Sequence, residues 1–212
     1  MNILKYLIFF IILLLVYELG MHYQHVVHYI VGSKRDIPTP FFIINKIKKI
    51  CNTIIEKEKK PFIFIDIGCG DGETLKVLCK SNVFRKCIGI EIDKKIYEIA
   101  KSNIKNTNIE LYNLDALDYQ FRIQPTIVYL YEPFHDVDYN KAIPLYHQLL
   151  KKIKGICEST LYIVYVSGTN FKRQDLHKNS EMFSQYGFQI INKYNIGSLI
   201  YRRMIYVVKC IK

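Results

Sequence analysis

The sequence predicts an α/β protein with a Rossmann-like, mostly parallel sheet of seven strands and a terminal antiparallel hairpin. Three observations carry this. The first is Phe62-Ile-Phe-Ile-Asp66-Ile-Gly68-Cys-Gly70-Asp71-Gly72, an apolar run that enters an acid and then a glycine-rich turn. Such a run reads as a strand buried on both faces of a parallel sheet, and helical spacing follows it at Thr74, Leu75, Val77 and Leu78. Strand, glycine turn and helix form the first half of a nucleotide-binding βαβ unit. The second is the return of short apolar runs at Lys86–Glu91, Ile109–Asn113, Thr126–Leu130 and Leu161–Val166, with helical patterns between them. The third is the pair of alternating segments Phe188–Tyr194 and Leu199–Lys209 around Asn195-Ile-Gly197-Ser, a hairpin signal.

Each element follows in order. Residues 3–17 are apolar except for Lys5, and Glu18 ends the run. A bilayer span needs about 20 residues, which Met1–Gly20 just supplies if Lys5 snorkels. Tyr17-Glu18-Leu19-Gly20-Met21 offers no small-residue cleavage site, so an uncleaved transmembrane or membrane-associated anchor is expected rather than a signal peptide. His22, His25 and His28 read as the polar face of an interfacial helix, not as a metal site. Gly32–Pro40 is a linker. The expected organisation is an anchor at 1–20, a juxtamembrane helix and linker at 21–40, and one domain at 41–212. Thr39 caps a helix with Pro40 in its first position, and the helix runs Phe41–Glu56. Further helices are expected at Gly72–Cys79, at Lys94–Lys105 behind an Asp93 cap, at Asp138–Lys154 with Pro144 in its first turns, and at Ser180–Tyr186 before Gly187.

Composition bounds the partners only loosely. Half of the 212 residues are hydrophobic, enough for a full core. Lys and Arg number 30 against 19 Asp and Glu, a net charge of +11, with the lysines scattered. That permits contact with nucleic acid, acidic proteins or anionic lipid without choosing among them. Six cysteines without a C-x-x-C read as buried free thiols in a reducing compartment, with no zinc site.

The glycine turn selects its ligand by charge. Asp66, Asp71 and Glu73 surround the place where a dinucleotide would set its pyrophosphate, and three carboxylates repel a phosphate. They suit a cofactor that carries a cation. D-I-G-C-G-D-G resembles motif I of the class I S-adenosylmethionine-dependent methyltransferases, and G-I-E-I-D, ending strand 2 at Glu91, resembles their second signature. Glu91 lies where nucleotide folds place the acid that accepts the ribose hydroxyls. The resemblance implies S-adenosylmethionine as cofactor, with Asp66, Gly68, Gly70, Asp71, Gly72, Glu91 and Asp115 binding it; Asp118 is the alternative to Asp115 for the adenine amino group.

Tyr131-Glu132-Pro133-Phe134 stands at the position of motif IV, where amine- and amide-modifying relatives carry Asn or Asp, and other members have tyrosine followed by N-P-F. Glu132 occupies that Asn slot and is expected to orient a nitrogen nucleophile, with Tyr131 and Phe134 walling the pocket. Ile37-Pro-Thr-Pro40 is similar to the entry of small membrane-anchored protein-lysine methyltransferases, which implies that Thr39 lies near the methionine end of the cofactor. The expected function is methyl transfer to a nitrogen such as a protein lysine near a membrane, the domain lying on the cytosolic side. The alternatives are a small-molecule, lipid or RNA acceptor, or a non-catalytic cofactor-binding protein.

Overall fold

The computed structural model describes residues 6–9, 11–13, 39–81, 83–105, 108–134, 137, 139–167, 180–197 and 202–211. The linker before Thr39, the three histidines at 22, 25 and 28, and the polar loop after Ser167 lie outside the described residues. So does most of the anchor; Tyr6–Phe9 and Ile11–Leu13 are helical with exposed side chains. No helix among the described residues is long and apolar enough to cross a membrane.

Strands β1 (Ile63–Ile67), β2 (Lys86–Glu91), β3 (Ile109–Asn113), β4 (Thr126–Tyr131), β5 (Leu161–Val166), β6 (Phe188–Gly197) and β7 (Arg202–Cys210) form one sheet in the order β3-β2-β1-β4-β5-β7-β6. The first five are parallel, and β7 lies antiparallel to both β5 and β6. The chain reverses its direction of travel across the sheet between β1 and β4, and ligands bind at the carboxyl edge of such a switch point.

Alternation within β1 explains why its apolar run is continuous. Ile63, Ile65 and Ile67 enter one core, beneath helices α4 (Tyr139–Lys154) and α5 (Ser180–Ser184), and Phe64 enters the other, beneath α1 (Phe41–Glu58) and α2 (Glu73–Leu78). Helix α1 buries Ile43, Ile44, Ile47, Ile50, Cys51 and Ile54, the stripe that its sequence spacing predicts. It ends at Lys59, whose left-handed backbone donates to the Ile55 carbonyl at 2.8 Å. Helix α3 (Lys94–Asn103) is capped as expected, with the Asp93 carboxylate accepting from the Lys95 and Ile96 amides.

The structure corrects three expectations, on Thr39, the hairpin turn and the cysteines. Thr39 does not cap α1: Pro40 holds that position, its carbonyl accepts from Ile43 and Ile44, and the Thr39 hydroxyl turns to the Tyr129 phenol. Helix α4 carries Pro144 in its first turns as expected, because one missing N–H near a helix start leaves the apolar face of the later turns intact; Asp138 lies outside the described residues. Asn195, Ile196 and Gly197 are not the hairpin turn but continue β6, pairing with Met204, Arg203 and Arg202. The six cysteines are not all free: Cys79 pairs with Cys87 and Cys157 with Cys210, leaving Cys51 and Cys69 as buried thiols. The fold sets each pair side by side across 8 and 53 residues of chain, a proximity that spacing alone does not reveal.

Candidate active site

A cavity of about 800 Å³ opens at the carboxyl ends of β1, β2 and β4, within the usual range for small-molecule sites. Its floor is the glycine turn. Gly68, Gly70 and Gly72 all have positive φ, at 73°, 56° and 81°. The Gly68 and Cys69 amides donate to the Ile90 carbonyl at 2.8 and 3.1 Å, which folds the turn back onto β2. Gly68 and Gly70 line the cavity. Gly72, expected from sequence to meet the cofactor, is not among the residues that line the cavity; a Cβ there would lie 2.6 Å from Ile104 Cδ1 and 3.5 Å from the Ala100 Cβ, so this glycine admits the end of α3.

Three carboxylates shape the electrostatics. Asp66, at the end of β1, is 2% exposed and lines the cavity. Burial, then the neighbouring charges of Glu91 and Asp71, push its carboxyl up to about 8. An acid so placed gains its charge readily only when a cation arrives. Glu91 ends β2 and anchors the turn, its Oε2 accepting from the Gly70 amide at 3.1 Å and its Oε1 from the Asp93 amide at 2.8 Å. A carboxylate offers about four acceptor positions, so acceptor capacity remains on the cavity side. Asp71 lines the cavity while its Oδ1 accepts from the Glu73 amide at 3.1 Å, at the start of α2. Beside them the Cys69 thiol, buried against these acids, is held well above its usual range.

The remaining wall comes from the loops after β3 and β4. Asp115 lines the cavity with Leu114 and Ala116, and its Oδ1 accepts from the Leu117 amide at 2.8 Å. Asp118 is not part of this lining. Thr39 closes the cavity from the other side, its hydroxyl 3.4 Å from the Tyr129 phenol on β4. Tyr129 was not singled out from sequence, where it looks like one more core residue of an apolar strand. Burial, and secondarily Asp66, raise its phenol well above the usual range.

Tyr131, Glu132 and Phe134 all line the same cavity as the acids of the turn. Glu132 has φ of 46°, a left-handed conformation that costs a residue with a side chain roughly 1–3 kcal/mol. Its Oε2 lies 3.5 Å from Nη1 of Arg203 on β7, and both side chains are buried. The Arg203 guanidinium also sits 4.8 Å from the centre of the Tyr131 ring. Phe134 packs edge-on against Tyr146 of α4 at 5.0 Å. Sequence reasoning missed Arg203. The available signal was its register: it stands two residues before Ile205 and four before Val207 on an alternating strand, hence on an inward face.

Among the described residues no cluster of His, Cys, Asp or Glu could hold a metal ion. The donor set suits S-adenosylmethionine instead. A buried acid meets an ammonium, Glu91 has acceptors for ribose hydroxyls, an apolar wall at Leu114 and Ala116 suits a purine, and the cavity has room for the whole molecule.

The chain has the fold of the class I S-adenosylmethionine-dependent methyltransferases, and the donor set of the cavity suits their cofactor. Residues 64–153 match the family described as methyltransferase domain. Among individual proteins, the ribosomal RNA small subunit methyltransferase A of Mycoplasma capricolum subsp. capricolum is 35% identical over 75 residues, 35% of this chain and 27% of that protein. The match thus spans about a quarter of the relative's length. Of solved structures, a proposed RNA methyltransferase from Pyrococcus horikoshii superposes with a TM-score of 0.60 at 16% identity, covering 82% of this chain and 86% of the other. The magnesium protoporphyrin IX methyltransferase of Synechocystis, solved with SAH bound, gives 0.55 at 12% identity, covering 82% and 90%. At such identities the likeness is one of fold.

Proposed function

We propose that this protein transfers the methyl group of S-adenosylmethionine to a nitrogen nucleophile, and that the nitrogen belongs to a protein lysine near a membrane. The observation that carries the nitrogen acceptor is Glu132, a carboxylate that lines the cavity between Tyr131 and Phe134. A carboxylate accepts hydrogen bonds from an amine and attracts an ammonium that must lose its proton before attack.

In this reading Asp66, Asp71 and Glu91 hold the cofactor, Gly68 and Gly70 admit it to the backbone, and Asp115 meets its adenine. When bound, the cofactor supplies a methyl group on an already activated sulfonium leaving group. The chain then has to align the acceptor, keep its lone pair free and exclude water. Glu132 holds the N–H groups of the acceptor and so aims the lone pair. Tyr131 and Phe134 keep the surroundings apolar.

The membrane context rests on the sequence of residues 1–20 and on the exposed apolar side chains of Tyr6–Phe9 and Ile11–Leu13. The two disulfides withdraw the thiol argument for a reducing compartment, so the cytosolic placement rests on the supply of cofactor alone. A second reading, an RNA nitrogen as acceptor, is favoured by the net charge of +11 and by the name of the curated relative.

The test is transfer of labelled methyl from the cofactor into a lysate separated into protein, RNA and lipid. Label in protein, retained after nuclease treatment and recovered as methyl-lysine on hydrolysis, is the expected result. Label in RNA replaces the lysine reading with the second one, and label in lipid alone overturns both. E132Q is expected to keep cofactor binding and lose turnover; unchanged turnover removes the role assigned to Glu132.

A further inference from the structure

Arg203 lies outside the cavity lining, on the terminal hairpin, yet it is 3% exposed and reaches Glu132 and Tyr131 on the acceptor side. Its Nη1 donates to the Ser167 carbonyl at 3.1 Å and lies 3.5 Å from Glu132 Oε2. Its Cζ lies over the Tyr131 ring, 4.8 Å from the centroid. Strand β7 is itself pinned at this level: the Ser167 amide donates to the Met204 carbonyl at 2.9 Å, and the Met204 amide donates to Ser167 Oγ at 2.9 Å. The guanidinium therefore spans from β7 past the end of β5 to the end of β4, held by backbone at one end.

A buried cation of this kind needs compensation, and so does the buried carboxylate it faces. Glu132 also sits in a left-handed backbone conformation that its surroundings must impose. A planar guanidinium can accept an ion pair at its edge and an aromatic ring on its face at once, which an ammonium does less well.

We propose that Arg203 is the positioning residue of the acceptor side. It holds Glu132 against the cavity as a carboxylate and fixes the Tyr131 ring, so that the terminal hairpin sets where an acceptor nitrogen is held. This inference rests on the reading of Glu132 given above, and it assigns the hairpin a part in the chemistry beyond completing the sheet.

The test needs no identified acceptor. Sinefungin is a cofactor analogue with an amine-bearing carbon in place of the methyl-bearing sulfur, and S-adenosylhomocysteine lacks that amine. The ratio of their affinities, measured by calorimetry, reports the environment at the transferred methyl. R203M should keep the affinity for S-adenosylhomocysteine within about two-fold and lower the preference for sinefungin at least five-fold, because the Glu132 side chain loses the partner that orients it. R203K should fall between R203M and wild type, at least two-fold below the latter. A preference in R203M equal to or above that of wild type overturns the proposal. If R203M does not fold, R203K decides: a lowered preference with S-adenosylhomocysteine affinity retained supports it, and an unchanged one overturns it. E132Q separates the two readings. Should E132Q lower the preference while the Arg203 variants do not, only the positioning role fails; should E132Q leave it unchanged, Glu132 does not face the transferred methyl and the reading beneath fails too.

Discussion

Asp66 makes cofactor binding dependent on pH in a direction that the geometry fixes. In the free protein, burial and the charges of Glu91 and Asp71 raise its carboxyl from 3.8 to about 8. Below that pH it carries a proton. A cofactor ammonium at the site favours the charged form, so binding must expel the proton, and affinity rises with pH until the carboxyl ionises unaided. With a free-protein value of about 8 and a carboxyl that binds the ammonium only when ionised, the linkage relation gives a gain of about fifty-fold between pH 6 and pH 8. The cofactor ammonium keeps its charge across this window, and no histidine lines the cavity among the described residues. The assay is calorimetry with S-adenosylhomocysteine at pH 6, 7 and 8, repeated in buffers of different ionisation enthalpy to count protons. Release of close to one proton is expected at pH 6. D66N should bind at least about ten-fold more weakly at pH 8, the loss of a charge-assisted contact, and its affinity should be nearly flat with pH. The unliganded protein should show the same linkage in its stability: a raised acid stabilises the fold fully below 3.8, and that contribution is lost as pH rises through about 8. D66N should lack this loss. Wild-type affinity that stays flat from pH 6 to 8 without proton release would refute the assignment of Asp66 to the cofactor ammonium.

Three other outcomes are expected. E91Q should weaken S-adenosylhomocysteine binding roughly 10- to 100-fold by calorimetry, because the carboxylate that holds the Gly70 and Asp93 amides and accepts the ribose becomes half donor. G72A should lower stability by about 1–3 kcal/mol in denaturant melts, from its φ of 81° and the 2.6 Å approach to Ile104, while the folded fraction still binds cofactor. Thiol titration of the protein unfolded without reductant should count two thiols, Cys51 and Cys69, of the six cysteines present.

What the sequence made legible and what it hid divide along a physical line. The turn from Asp66 to Gly72 and the acid at Glu91 belong to the same βα units that position them, so spacing along the chain was enough to bring them to one edge of the sheet. Strand β5 ends where its apolar run ends, because burial on both faces leaves no polar position to blur the limits. Asp66 shows the limit of this, since its charge was readable but its raised carboxyl depends on how deeply the fold buries it. Contacts between distant segments were not readable. Cys157 meets Cys210, the Thr39 hydroxyl meets Tyr129, and Arg203 meets Glu132 only after the chain has crossed the sheet. Of these, the last matters most for function. A glutamate in the Asn slot looks from sequence like a lone anion awaiting a cationic substrate. With Arg203 beside it, the pair is closer to neutral, and it can receive an amine that has already lost its proton as readily as one that must still lose it. Selection of the acceptor then falls to the shape of the wall formed by Tyr131 and Phe134 and to whatever surface the acceptor's remaining mass touches. For that reason the fractionated lysate is more informative about the substrate than any charge substitution inside the cavity.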